Sequence, residues 1–228
     1  MNHDRKLAPM FERTKTQALP ARPYQIMAGR AMNRLLFPLL ALALPLAACG
    51  AAQAPEKTPE QAPLAGASIG GPFTLVNGDG KTVTDADFAG KYRIMYFGYT
   101  FCPDVCPVDV QNIGGAMKLL DRQNPALSAK IVPIFVSIDP ARDTPDVVKQ
   151  FTAAFYPRMV GLTGSAEQVD EAAKVYRVPY QKRETPSGYL MDHGRQAYLM
   201  GPKGEPIALL PQDQSPQAIV AEIERWIG

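Results

Sequence analysis

The sequence predicts an α/β domain with a mixed central sheet flanked by helices and an N-terminal β-hairpin extension. Three observations carry this. Arg93–Tyr99 (RIMYFGY) and Ile131–Ile138 (IVPIFVSI) are near-continuous apolar runs, as expected of strands covered on both faces. Helical signals follow each run, so strands and helices alternate. Ahead of both, Asn77-Gly78-Asp79-Gly80 separates two short extended segments, and these residues accept the positive φ of a tight hairpin.

Taken in order, the globular part begins near Ile69. Phe73–Val76 and Lys81–Thr84 are the hairpin arms, and Asp85–Phe88 reads as a single helical turn. The strand Arg93–Tyr99 follows, then a helix from about Val105 to Arg122, in which Gly114-Gly115 would weaken the local propensity. Asn124-Pro125 closes it. After the second apolar strand, Asp139–Pro145 forms a polar turn, with Thr144 as N-cap and Pro145 at the first position of a helix reaching about Phe155. Val160–Leu162 is a short strand, and Ser165-Ala166-Glu167-Gln168 fits a capping box that opens a helix to about Val175. Val178–Arg183 is strand-like, Thr185–Asp192 is expected to be a loop, and Gln196–Met200 is a strand. Pro202-Lys203-Gly204 turns the chain into Glu205–Leu210, and Ser215-Pro216 starts a final helix ending at Trp226.

Between the first long strand and its helix lies YFGYTFCPDVCPVDV, Tyr96 to Val110, with two of the three cysteines of the chain four residues apart. A thiol motif at that junction is the signature of a thioredoxin-like architecture. If Cys102 and Cys106 occupy positions i and i+4 of a helix, their side chains share one face and their Cα atoms stand about 6 Å apart. That spacing fits a disulfide and also lets two sulfurs converge on one ion. A helix N-terminus lowers thiol pKa, and the thiolate is both the nucleophile and the metal-binding form.

Past the leader one histidine remains, His193, placed by the pattern in a loop before the strand that should lie beside the thiols. Two thiolates and an imidazole make a soft site suited to Cu(I), with Zn(II) the competing ion. A blue-copper centre and a three-histidine zinc site are excluded by the histidine count. The simplest alternatives are a structural disulfide and a surface histidine. Asp139, ending the second long strand, is a candidate for a place beside the metal, although an aspartate before proline is also ordinary turn chemistry.

Three separated motifs now resemble a known family: Gly98–Pro107 (GYTFCPDVCP), Ser137–Pro145 (SIDPARDTP), and Asp192-His193 ahead of Ala197-Tyr198-Leu199. Together they resemble the Sco/SenC family of copper-binding, thioredoxin-fold assembly factors for cytochrome c oxidase, over roughly Ile69 to Trp226. The resemblance implies copper, Cu(I) and/or Cu(II), held by Cys102, Cys106 and His193, with oxidase subunit II as partner. One departure is Gly194, where relatives often carry serine, so no side chain follows the histidine to orient it.

Composition bounds the rest. The net charge of +2 hides an uneven split: residues 1–48 hold seven Lys/Arg against two Asp/Glu, leaving 17 against 20 afterwards. The basic excess belongs to a leader, and no basic, aromatic-interleaved stripe remains to bind nucleic acid. Met32-Asn33-Arg34, the apolar run Leu35–Leu46 and Leu46-Ala47-Ala48-Cys49 resemble a lipoprotein signal, with Cys49 as the lipidated residue and Met32 as the expected true start. An uncleaved anchor over Leu35–Ala52 is the rival reading. Both tether the domain outside the cytoplasm of a bacterium, facing the periplasm, where disulfides are permitted. Residues 49–68, with Pro55, Pro59 and Pro63, read as a linker, and 69–228 as the folded domain.

A competing function is a membrane-tethered thiol–disulfide oxidoreductase acting on cysteines of the oxidase or other exported proteins. The spacing C-x-x-x-C, not C-x-x-C, argues against it, as does His193-Gly194-Arg195-Gln196 in the segment where such enzymes keep a cis-proline. A peroxiredoxin-like pattern fails because Thr100 lies two residues before Cys102, not three.

Overall fold

The computed structural model describes residues 62–228. The leader, His3, the lipidation candidate Cys49 and the first part of the expected linker lie outside the described residues.

Nine strands and five helices follow in order: β1 (Thr74–Asn77), β2 (Thr82–Thr84), β3 (Tyr92–Gly98), α1 (Val105–Gln123), α2 (Pro125–Ser128), β4 (Ile131–Ser137), α3 (Pro145–Phe155), β5 (Val160–Thr163), α4 (Ala166–Val175), β6 (Tyr180–Thr185), β7 (Gly188–His193), β8 (Ala197–Met200), β9 (Pro206–Leu210) and α5 (Pro216–Ile227). Seven strands make one sheet in the order β2-β1-β5-β4-β3-β8-β9. The centre, β3-β4-β5, is parallel; β8 and β9 on one side and β1 and β2 on the other are antiparallel. The fold is the expected mixed sheet, and the N-terminal hairpin extends it through β1 pairing with β5.

The two apolar runs became the central strands because both their faces are covered. In β3, Ile94 and Tyr96 point into a core shared with α1 and α5, whereas Met95 and Phe97 point into a second core beneath α4. Helix α1 places Val110, Ile113, Met117 and Leu120 on the first core. Its Gly114-Gly115 pair does not break it. A Cβ on Gly114 would stand 2.9 Å from the Phe155 carbonyl oxygen, and one on Gly115 would stand 2.8 Å from Pro216 Cγ. The missing side chains let α1 approach the end of α3 and the start of α5. Ser165 and Gln168 form the expected reciprocal box, and Ser215 accepts from the Ala218 N–H; Thr144 stands at the N-cap of α3 before Pro145, but its side chain makes no capping hydrogen bond.

Three expectations change. Residues 62–68, assigned to the linker, already fold back on the domain: Ala62 is buried and the Leu64 N–H donates to the Ile207 carbonyl at 3.0 Å. Asn124-Pro125 closes α1 but also opens the single turn α2, which Asn124 caps by accepting from the Leu127 N–H. The expected loop Thr185–Asp192 is largely strand: β6 and β7 form a separate antiparallel ribbon with Tyr180 opposite His193 and Thr185 opposite Gly188. It was hidden because β6 is polar and largely exposed, while in β7 the apolar residues Tyr189, Leu190 and Met191 are consecutive and show no alternation.

Candidate metal centre

The chain leaves β3 at Gly98, and the next four residues carry it over the carboxyl end of the parallel strands to Cys102. Asp143 shapes this passage. Its buried carboxylate accepts from the Thr100 N–H at 3.0 Å, the Thr100 hydroxyl at 2.6 Å and the Ser137 hydroxyl at 2.6 Å. Burial pushes the Asp143 carboxyl above the usual range, against those hydrogen bonds. Cys102 lies in the turn before α1, not on the helix, while Cys106 is the second residue of α1. The helical i, i+4 geometry is therefore not what joins them: the turn folds Cys102 back over the helix N-terminus.

There the backbone N–H groups of Asp104 and Cys106 favour the Cys102 thiolate. Both cysteines are free thiols and both are buried. The Cys106 thiol beside it, with those N–H groups, holds the Cys102 pKa well below its ordinary value, against burial. Cys106 is pushed the other way, first because it donates to Cys102 and then by burial. The environment thus favours the thiolate at Cys102 and the thiol at Cys106.

His193 ends β7, and its Nε2 stands 3.1 Å from Cys106 Sγ. The imidazole is held edge-on to Tyr99 and Tyr96, at ring-centroid distances of 6.0 and 6.5 Å. Its Nδ1 is 2.8 Å from the Gly194 carbonyl oxygen, which can only accept. Nδ1 therefore carries the proton, and in the neutral ring Nε2 keeps its lone pair toward the thiols. Orientation by a backbone carbonyl answers the departure at Gly194: no side chain is needed there. The ligand atoms of Cys102, Cys106 and His193 all lie within 4.8 Å of one another. Among the described residues this is the one cluster of three or more metal-ligating side chains, and it opens to solvent through a cleft of about 330 Å³ between Cys102, Val105, Met191 and Arg195.

The SCO1/SenC family profile matches residues 61–228. The chain belongs to the SCO1/SenC family. It is 42% identical to the SenC protein of Rhodobacter capsulatus over 160 residues, which cover 70% of this chain and 71% of that one. Its fold superposes on Arabidopsis thaliana ScoI with copper bound at a TM-score of 0.63 with 36% identity, covering 69% of this chain and 97% of that one. Bradyrhizobium japonicum ScoI with copper bound gives 0.63 and 35%, covering 70% and 99%. The chain spans about half the length of several mitochondrial curated relatives that it matches.

In this SCO1/SenC chain, residues around the ligands brace the centre through Asp109. Asp109, one turn after Cys106, has no solvent exposure and accepts from the Tyr96 hydroxyl at 2.8 Å and from Arg195 Nη2 and Nε at 2.8 and 3.1 Å. Arg195 is two residues past His193, so this pair ties α1 to the segment that orients the imidazole. Burial, with the adjacent Asp109 carboxylate, pushes the Tyr96 phenol far above its ordinary pKa. Gly98 is also required by the site, since a Cβ there would stand 3.0 Å from both Cys106 Sγ and Tyr96 Cε1.

Asp139 is buried, and its carboxylate accepts from Arg142 Nε at 2.5 Å and from the Tyr189 hydroxyl at 2.9 Å. It stands outside the three-residue cluster. Asp109, Arg195 and Tyr189 were not singled out from the sequence. Asp109 left a signal: it is a carboxylate on the otherwise apolar stripe Cys106, Val110, Ile113, Met117 of α1. Arg195 and Tyr189 left none, since their partners are distant in sequence.

Proposed function

We propose that this protein is a copper metallochaperone. One copper ion, its cargo, is held by Cys102, Cys106 and His193 and passed toward the binuclear copper site of cytochrome c oxidase, with subunit II as recipient. The observation that carries the reading is the convergence of two free thiols and an oriented imidazole within 4.8 Å, in a chain similar to two proteins solved with copper bound. Soft sulfur donors with one imidazole favour Cu(I). The mixed burial of the site suits a cargo that must leave again: the sulfurs are shielded, while His193 lies at the mouth of the cleft. A lipid on Cys49, or an uncleaved Leu35–Ala52 anchor, would tether the domain on the periplasmic side, where a membrane-embedded oxidase is within reach.

A second reading, thiol–disulfide exchange on oxidase cysteines, is favoured by one observation, the depressed pKa of Cys102 beside a protonated partner thiol. Competition of the reduced protein against a Cu(I) chelator separates the two. The copper reading predicts one ion per chain and sharply weakened retention in Cys102→Ala, Cys106→Ala and His193→Ala. A protein that takes up no copper yet reduces disulfides would establish the second reading instead.

A further inference from the structure

His193 is carried by a ribbon that makes no strand pairing with the main sheet, so its distance from the thiols depends on whatever pins the ribbon. One such pin is built from side chains that touch neither thiol nor imidazole. Tyr189 and His193 are four residues apart on β7 and therefore share a face of the ribbon. Arg142, from the turn after β4, lays its guanidinium on the Tyr189 ring, with Cζ 3.8 Å from the centroid, and donates from Nη1 to the Tyr189 carbonyl oxygen at 3.1 Å. Asp139 closes the unit by accepting from both Arg142 Nε and the Tyr189 hydroxyl. It is fixed in turn by its own N–H, which donates to the Ser137 hydroxyl at 3.0 Å.

The same guanidinium also faces the thiol loop. Its Cζ lies 5.1 Å from the Phe101 ring centroid and 5.6 Å from that of Tyr99, and Phe101 immediately precedes Cys102. Arg142 thus lies against the loop that presents one ligand and the strand that presents another. Its Nη2 is buried with no hydrogen-bond partner. Leaving a charged donor unsatisfied costs free energy, which fits a side chain placed for its flat, two-sided contact more than for its hydrogen bonds.

We propose that Arg142, held by Asp139 and seated on Tyr189, is a positioning residue that sets the separation between the Cys102 loop and His193 and so the lifetime of the metal centre. The proposal rests on the reading of Cys102, Cys106 and His193 as that centre. Arg142→Leu removes both the stack and the bonds, Arg142→Lys keeps the charge without the plane, and Tyr189→Phe removes only the hydroxyl that reaches Asp139.

Two measurements on the full-length reduced protein test it. In the metal-free state, the ring signals of His193 report its place against Tyr96 and Tyr99 through ring-current shifts. With Cu(I) bound, transfer to a chelator gives the release rate. We expect Arg142→Leu to shift and broaden the His193 signals while the buried methyl signals of β3 and β4 stay put. Release should be faster by up to about tenfold, the lower end of the effect of losing a direct outer partner of a metal ligand, since Arg142 acts one contact further away. Arg142→Lys should recover little, and Tyr189→Phe should fall between. Unchanged His193 signals and release in both Arg142→Leu and Tyr189→Phe, with His193→Ala losing copper, would overturn the clasp and leave the centre intact. Copper retained by His193→Ala would overturn the centre, and the metal-free signals would then judge the clasp alone. Should Arg142→Leu fail to fold, Tyr189→Phe carries the test by the same readings.

Discussion

Replacing Arg195 by alanine should destabilise the protein far more than an ordinary surface ion pair would suggest. The Arg195 side chain is 41% exposed, which by itself points to a bridge worth less than about 1 kcal/mol. Its partner decides otherwise. Asp109 is fully buried, and of its three hydrogen bonds only that from Tyr96 would survive the substitution. Removing one member of a buried pair costs about 3–5 kcal/mol, because the remaining charge stays desolvated. Water entering where Arg195 stood relieves part of this, so we expect about 3 kcal/mol, the lower end of that range. For a domain of this size that corresponds to a fall in Tm of roughly 6–12 °C. Asp109→Asn removes the charge while keeping an acceptor for Tyr96, and should cost about 1–2 kcal/mol. Urea unfolding of the reduced, metal-free protein at neutral pH measures both. A loss below about 0.5 kcal/mol for Arg195→Ala, or a larger loss for Asp109→Asn, would refute the claim that the burial of Asp109 dominates.

Further outcomes follow from the site. The lowered pKa of Cys102 favours its thiolate and the raised pKa of Cys106 favours its thiol, so loading copper should expel one thiol proton. Affinity for Cu(I) should therefore rise with pH, with a thiol contribution of about one decade per pH unit and not two, measured by chelator competition across neutral pH. Gly98→Ala should cost about 1–3 kcal/mol by overpacking and should also weaken copper retention, because its Cβ presses on Cys106 Sγ. Gly114→Ala gains up to about 1 kcal/mol in helix propensity. It should still be destabilising, since the obstacle 2.9 Å away is the Phe155 backbone carbonyl, which cannot rotate aside as a side chain would.

The sequence made the frame of this fold legible because its central strands are covered on both sides, so β3 and β4 are near-continuously apolar. The thiols were equally plain, two cysteines between such a strand and its helix. How they approach each other was not. Proline-flanked Cys102 sits in a turn stapled by Asp143, and the partners of that staple, Thr100 and Ser137, come from 43 and 6 residues away. The second strand of the ribbon that carries His193 escaped because its apolar residues, Tyr189 to Met191, are too few and too contiguous to show a strand period. The residues around the ligands were the least visible. Arg195 and Tyr189 are unremarkable in sequence and acquire their roles only when the fold brings Asp109 and Asp139 against them; Arg142 lies in the Ser137–Pro145 motif, but its seat on Tyr189 does not show there.

The central claim is that three side chains of this chain, and no others, hold the copper. X-ray absorption at the copper edge of the reduced, Cu(I)-loaded protein tests it most directly, because the first shell can be counted by element. The account predicts two sulfur scatterers and one imidazole nitrogen in the wild type. His193→Ala should lose the imidazole signature and keep both sulfurs. An imidazole signature surviving in His193→Ala, or a wild-type shell with sulfur alone, would contradict it.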